Sequence, residues 1–322
     1  MEIKHDEMKK LKTILVLIIF LSISFLSCEK DPYNSGYVTR NVFVVIIDGP
    51  RYSETWGDIT GKNIPNMRKI SEVGVVFSSF YNNGPTYTLA GHTALTTGSY
   101  QEINNSGLEL PAFPSMFQYY NRKYSKSKPV SRIFASKDKL VILSDCIDST
   151  WNGYFRPLTD CGINGMGIGS GYRDDSLTFI RTLNVLSAEH PSLVLLSFRE
   201  PDYSAHQNNW EAYIQGIRKT DEYVYQLWNF IKQDTYYRGK TTLIITNDHG
   251  RHLDNISDGF ASHGDTCEGC RHISLLAYGP DFKMGEMIKI NRELIDIPAT
   301  VAQLLKFSMP TGQGVIMKEL FK

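Results

Sequence analysis

Five short apolar runs recur along the chain, at residues 42–47, 132–135, 193–198, 242–246 and 273–277. Each is dense in Val, Ile, Leu or Phe and lacks the polar alternation of a half-solvated strand. Such runs predict strands of a parallel sheet that is covered on both faces. Between the third and fourth runs, Trp210, Tyr213, Ile214, Ile217, Val224, Leu227, Trp228 and Ile231 repeat at helical intervals. That stripe predicts one amphipathic helix whose aromatics belong to the core. Apolar runs separated by helical stretches predict an α/β fold, a three-layer α/β/α sandwich with a largely parallel, doubly wound sheet. Ligands of such sheets gather beyond the carboxyl ends of the strands. No internal repeat or low-complexity tract interrupts the pattern.

The first apolar stretch differs from the others. Lys4, Lys9, Lys10 and Lys12 precede an uncharged stretch at 13–27, shorter than the roughly 20 residues that a membrane helix takes. The stretch ends in Phe25-Leu26-Ser27-Cys28, which resembles a bacterial lipoprotein signal; an ordinary export signal is the alternative. The expectation is a signal peptide at 1–27, a tether at 28–40 rich in turn formers (Pro32, Asn34, Ser35, Gly36), and one large domain at 41–322. The protein is then exported to the periplasm or cell surface and anchored to the membrane through lipidated Cys28. Lys plus Arg equals Asp plus Glu, 34 each, so no bulk charge points to a nucleic-acid polymer. Cys146, Cys161, Cys267 and Cys270 remain beyond Cys28, and an even number in an exported chain favours disulfides. Local pairing, 146 with 161 and 267 with 270, is the expected connectivity. Cys267-Glu268-Gly269-Cys270 also fits a redox pair or half a zinc site, although no second such pair exists to complete four thiolates.

The chemistry concentrates where apolar runs end. Asp48 closes the first, Asp202 follows the third by four residues, and Asp248 follows the fourth by two. A carboxylate at the edge of a buried sheet is costly unless something pairs with it, and metal is the natural partner of clustered Asp and His. Asp202 and His206 are spaced i, i+4, which puts both on one face of a helical turn. Asp248-His249-Gly250 places two donors after a strand, with a glycine that permits a sharp turn, and His263-Gly264 adds a third imidazole. Thr88 lies in a segment holding five threonines, 84–98, where a helix is expected to open at about His92. Free N–H groups at such an opening favour an anion, and a metal-bound hydroxyl there would be nucleophilic. His190, His252 and His272 receive no role.

The segments Ile46-Ile47-Asp48-Gly49, Thr88-Leu89-Ala90-Gly91-His92, Asp202-x-x-x-His206, Asp248-His249-Gly250 and His263-Gly264 occur in the order seen in the alkaline phosphatase superfamily. The chain most resembles its threonine-nucleophile branches, the nucleotide pyrophosphatase/phosphodiesterases and the phosphate-irrepressible monoesterases. Asp296-Ile297-Pro298-Ala299-Thr300 and the closing 314–321 segment extend the likeness to the C-terminus.

The resemblance implies a metal-dependent phosphoric ester hydrolase acting through a phosphothreonine on Thr88. It assigns Asp48, Asp248 and His249 to the metal that activates Thr88, and Asp202, His206 and His263 to the metal that receives the leaving oxygen. Both ions are expected to be zinc, with manganese the alternative. Asn105, or its neighbour Asn104, matches the asparagine that binds a nonbridging phosphoryl oxygen, and His92 matches no ligand. Lys137-Asp138-Lys139 resembles the Lys-Asp-Arg segment that holds a terminal phosphate dianion in the monoesterases. A monoester substrate is therefore favoured, with phosphodiester or pyrophosphate cleavage the alternative. A sulfatase would need Cys or Ser where Thr88 stands, and the related mutases carry inserted domains for which this chain has no room. A catalytically silent binding protein would not need every metal position filled. Tyr154, Phe155 and Trp151, in the insertion at 146–175, are candidates to stack on the organic half of the substrate or to pack as core.

Overall fold

A computed structural model describes residues 36–125 and 130–322. The expected signal peptide, Cys28 and most of the tether lie outside the described residues. Among the described residues no helix is long and apolar enough to cross a membrane.

The central strand is β1 (Asn41–Asp48), every residue of which is buried. β5 (Leu193–Pro201) and β6 (Thr241–Thr246) flank it in parallel, with Val44 opposite both Leu195 and Ile244. β3 (Ser131–Ala135) and β4 (Leu158–Cys161) continue the sheet beyond β5. On the other side follow β7 (His272–Tyr278), β2 (Val75–Tyr81) and β8 (Glu286–Ile288), with the short β9 (Arg292–Glu293) also on β2. Among the described strands, only β7 runs antiparallel to its neighbours. The mostly parallel α/β sandwich expected from the sequence is what the chain forms.

Alternate residues of β1 feed two separate cores, which is why its sequence shows no polar face. Val42, Val44 and Ile46 pack on one side with Leu89, Leu95, Phe117 and Val301. These come from α2 (Thr88–Thr97), α3 (Met116–Tyr124) and α8 (Asp296–Leu305). Phe43, Val45 and Ile47 pack on the other side with Ile217, Val224 and Leu227 of α6 (Trp210–Gln233). Each such side chain contributes about 1.5–3 kcal/mol on burial. Asn209 caps α6, its side-chain oxygen accepting from the Ala212 amide at 3.0 Å. The stripe predicted for this helix is buried at Tyr213, Ile217, Val224, Leu227, Trp228 and Ile231, whereas Trp210 is 44% exposed. Asp221 interrupts the stripe because it caps another helix. Its carboxylate accepts the Asn66 and Met67 amides of α1 (Pro65–Ser71) at 3.0 and 2.7 Å.

Several expectations need correction. Helix α2 opens at Thr88 rather than at about His92. Its N-cap, Tyr87, makes no side-chain capping bond, so no polar residue marks the start. Residues just before β1 are tied to the sheet end, with Asp281 accepting the Val38 and Thr39 amides at 2.8 Å each. Strand β2 carries Ser78 and Ser79 where its pairing with β7 shifts register, which breaks the apolar run. None of the four cysteines is disulfide-bonded. Cys146 and Cys161 are fully buried in the core beside Leu140 and Leu143, where a thiol packs as a small apolar group. Within the insertion, Trp151 is core: it packs edge-on against Tyr119 with ring centroids 4.5 Å apart. Tyr154 and Phe155 are exposed.

Candidate metal centre

The carboxyl ends of β5, β1 and β6 lie side by side and bring the three acidic residues to one edge of the sheet. Asp48 is the last residue of β1, Asp202 opens the short helix α5 (Asp202–His206), and Asp248 follows β6. All three are buried, with exposures of 0–2%. Thr88, also buried, is the first residue of α2, where the backbone amides have no helical partners. Close packing holds that helix over the site, since a Cβ on Gly91 would meet the Asp248 carbonyl at 2.4 Å. His92 fastens it further. Its Nδ1 lies 2.8 Å from the Thr88 carbonyl and 3.2 Å from Asp248 Oδ2, and its Nε2 lies 2.9 Å from Ser197 Oγ.

The acidic and imidazole groups fall into two triads, Asp48/Asp248/His249 and Asp202/His206/His263. Within each, donor atoms lie no more than 4.8 Å apart. His249 Nε2 is 3.5 Å from Asp48 Oδ1 and 3.4 Å from Asp248 Oδ2. His206 and His263 Nε2 are 3.2 and 3.4 Å from Asp202 Oδ1. The triads adjoin, because the His249 and His263 rings stack with centroids 3.8 Å apart. Backbone carbonyls orient both rings: His249 Nδ1 lies 2.9 Å from the Gly250 oxygen, and His263 Nδ1 lies 2.7 Å from that of Thr86. Each Nε2 therefore turns its lone pair to the cluster.

Lys137 joins the two triads. Its ammonium lies 2.7 Å from Asp48 Oδ2, 2.7 Å from Asp202 Oδ2 and 3.1 Å from Thr88 Oγ1. Arg251, fully buried, pairs with the other oxygen of Asp202. Three buried acidic groups thus face two buried cations. Among the described residues, Asp48 Oδ1 and His249 Nε2 have no hydrogen-bond partner, while Lys137 approaches Asp48 Oδ2 at 2.7 Å and His92 Nδ1 approaches Asp248 Oδ2 at 3.2 Å. An orphaned carboxylate oxygen and an imidazole lone pair, beside further carboxylate oxygens, are donors that a divalent cation satisfies. The first triad fits a metal on that ground. The second fits by donor type and spacing, with its carboxylate shared by Arg251 and Lys137.

The electrostatics match this description. Burial, reinforced by Asp248, holds the Asp48 carboxyl well above its ordinary range. Burial also opposes charge on Asp202, but Lys137 and hydrogen bonds from His206 and His263 outweigh it and keep that carboxyl well below the usual range. His249 is pushed down to about 3, chiefly by burial, and is neutral as a ligand must be. Burial disfavours the Lys137 ammonium, yet Asp202, Asp48 and Asp248 together raise its pKa.

Of the two candidate asparagines, Asn105 faces the site. Its Oδ1 accepts from the Leu89 amide at 3.1 Å and from Lys139 Nζ at 2.9 Å. Asn104 instead pairs with Glu109. Lys139 is pushed down to about 8 by burial and by Lys137. Arg251 is the residue that motif reading missed. Its only signal is an arginine directly after Asp-His-Gly, at a strand end too buried to leave a guanidinium unpaired.

The family model described as "Metalloenzyme superfamily" matches residues 40–309. Ectonucleotide pyrophosphatase/phosphodiesterase family member 1 of Homo sapiens is 24% identical over 241 residues, covering 67% of this chain and 24% of that protein. The chain thus spans about a quarter of the length of the curated relatives it matches. Among solved structures, a phosphonate monoester hydrolase from Silicibacter pomeroyi superposes with a TM-score of 0.66 at 14% identity, covering 87% of this chain and 76% of that one. Murine ectonucleotide pyrophosphatase/phosphodiesterase 5 does so with a TM-score of 0.60 at 16% identity, covering 88% and 100%. At such identities the structural likeness shows the fold.

Proposed function

The chain belongs to the metalloenzyme superfamily, of alkaline phosphatase-like fold, and on that premise we propose that it hydrolyses phosphate esters with Thr88 as the nucleophile. The observation that carries this reading is the position of Thr88 Oγ1 at a helix N-terminus, linked through Lys137 to both metal-type triads.

Asp48, Asp248 and His249 would hold one divalent ion beside Thr88, and Asp202, His206 and His263 a second, with zinc favoured over manganese by the imidazoles. Bound there, such ions would supply the Lewis-acid charge that lowers the hydroxyl pKa of Thr88 and offsets charge on the ester oxygens. The chain's own groups do the rest. Thr88 Oγ1 gives up its proton to water and bonds to phosphorus as the bond from phosphorus to the ester oxygen breaks. The departing alkoxide takes up a proton, and water then cleaves the phosphothreonine, releasing phosphate and restoring the Thr88 hydroxyl. The amides at the start of α2, apart from that of Leu89, which donates to Asn105, would face a nonbridging oxygen. Asn105, its Oδ1 already held by Leu89 and Lys139, keeps its amide nitrogen to donate to another. Lys137 sits within reach of the phosphoryl group that Thr88 would attack.

Two cations flank the nucleophile, Lys137 directly and Lys139 through Asn105, and this favours a monoester dianion. Diester or pyrophosphate cleavage is the second reading, favoured by the names of the curated relatives. The domain would work outside the cytoplasm, anchored through lipidated Cys28.

The test is turnover of a panel of mono- and diesters after zinc or manganese reconstitution, for the wild type and Thr88→Ala. Hydrolysis by the wild type, lost in the variant while metal content stays unchanged, supports the reading. A metal-loaded wild type that hydrolyses neither class sinks it. A diester preference that Lys137→Ala leaves untouched reverses the choice of substrate.

A further inference from the structure

The connection between β6 and β7 carries a second set of metal-type donors, separate from the Asp/His centre. One donor atom each from His252, Asp265, Cys267 and Cys270 lies within 4.8 Å of all the others. The Cys-x-x-Cys pair had no partner in sequence, because its complement is formed by folding. His252 follows β6, and Asp265 comes from the loop that begins beyond His263.

The local structure aims these groups at one point. His252 is 6% exposed, and its Nδ1 lies 2.9 Å from Ser262 Oγ. That contact turns Nε2 inward, where it lies 3.1 Å from Asp265 Oδ2 but has no aligned hydrogen-bond partner. Asp265 Oδ1 accepts the Cys267 amide at 2.9 Å, which leaves Oδ2 for the cluster. Cys267 opens the single turn α7 (Glu268–Arg271), its carbonyl accepting from the Cys270 and Arg271 amides at 3.2 and 3.1 Å. Cys270 is fully buried. The turn presses on the segment after the Asp-His motif. A Cβ on Gly250 would meet the Gly269 carbonyl at 2.1 Å, and one on Gly269 would meet that of Arg251 at 2.4 Å. The Gly250 amide donates to the Cys270 carbonyl at 2.7 Å.

We propose that His252, Asp265, Cys267 and Cys270 form a structural zinc site. Two thiolates select zinc over manganese or magnesium, and the two-residue spacing is that of zinc-binding turns. Four protein donors close a tetrahedron and leave no open position, so the ion's role is structural. It ties residues 250–252 to residues 262–270 and thereby fixes the two ends of the loop that carries Arg251 and His263. The inference does not rest on the reaction proposed for Thr88.

The test replaces metal in the full chain with cobalt, purified under reducing conditions, and records near-ultraviolet absorption. Thiolate ligation gives a sulfur-to-cobalt charge-transfer band that Asp and His donors do not. The band is expected in the wild type and in Asp48→Asn. It is expected to vanish in the double variant Cys267→Ser, Cys270→Ser, with loss of one metal equivalent per chain. Should that variant fail to fold, alkylation of the wild type serves instead: both cysteines should resist iodoacetamide until a chelator is added. A cobalt-loaded wild type without the band overturns the proposal, as does a band that survives the double variant. A Cys267–Cys270 disulfide that persists with metal content unchanged overturns it too.

Discussion

The ammonium of Lys137 lies 2.7 Å from one oxygen of Asp48 and 2.7 Å from one of Asp202, and so joins the last residue of one strand to the helix that follows another. All three groups are buried, so each depends on the others for its charge. Lys137→Ala leaves three buried carboxylates against Arg251 alone. Breaking a buried pair in this way costs about 3–5 kcal/mol. The expected result is a loss of that order in urea unfolding of chelator-treated protein. Added zinc should restore more stability to the variant than to the wild type, because the cation replaces the missing charge. Equal zinc-induced shifts would argue against shared electrostatics.

Thr88 separates chemistry from structure. Its hydroxyl contacts Lys137 and its backbone starts α2, so Thr88→Ser keeps both. Thr88→Ser is expected to retain measurable phosphate ester turnover, whereas Thr88→Ala loses roughly 1,000-fold or more. Rapid-quench detection of phosphorylated protein should succeed for the wild type and fail for Thr88→Ala. If both variants lose equal activity, the hydroxyl is not what matters at this position.

What the sequence revealed depended on how local each signal is. β1 and β6 were legible because both faces of each strand are buried, which produces an uninterrupted apolar run. β2 was not, because its register shift admits two serines. The six Asp and His positions of the two triads could be named because each sits in a short motif, five of them at or soon after a strand end and His263 in the loop before β7. Their grouping, and the place of Asn105, came only with the resemblance to a family. The ties of Lys137 to Asp202, of Arg251 to Asp202 and of His252 to Asp265 span distant segments. Nothing in a periodic pattern encodes them. The cysteine pairing was inferred from the expected compartment, which constrains redox state but not where two sulfurs lie.

Arg251 is expected to be as sensitive as Lys137, for a different reason. Its guanidinium reaches Asp202 and the carbonyls of Phe260 and Ala261 at once. A planar fork can do this and an ammonium cannot. Arg251→Lys should therefore weaken metal retention at the Asp202/His206/His263 triad, read as a right-shifted zinc titration. The Asp48/Asp248/His249 triad should be affected less. An unchanged titration would show that the arginine only fills space.

Asp221 gives a pH signature remote from the metal centre. It is 1% exposed and accepts the Asn66 and Met67 amides at the first turn of α1. Those bonds favour the carboxylate, but burial is the larger effect and pushes its pKa up to about 6 from an ordinary 3.8. A carboxyl raised on folding binds its proton more tightly in the folded chain than in the unfolded one. The associated stability is fully present below about pH 4 and is lost as pH rises through about 6. Asp221→Asn cannot titrate and should remove this slope. Urea midpoints of both proteins from pH 4 to pH 7 should diverge, with the wild type losing about 1–3 kcal/mol relative to the variant. A wild type that instead gains on the variant as pH rises would mean that the two amides hold the carboxylate ionised against burial. The same result would make the cap of α1 an ionic one.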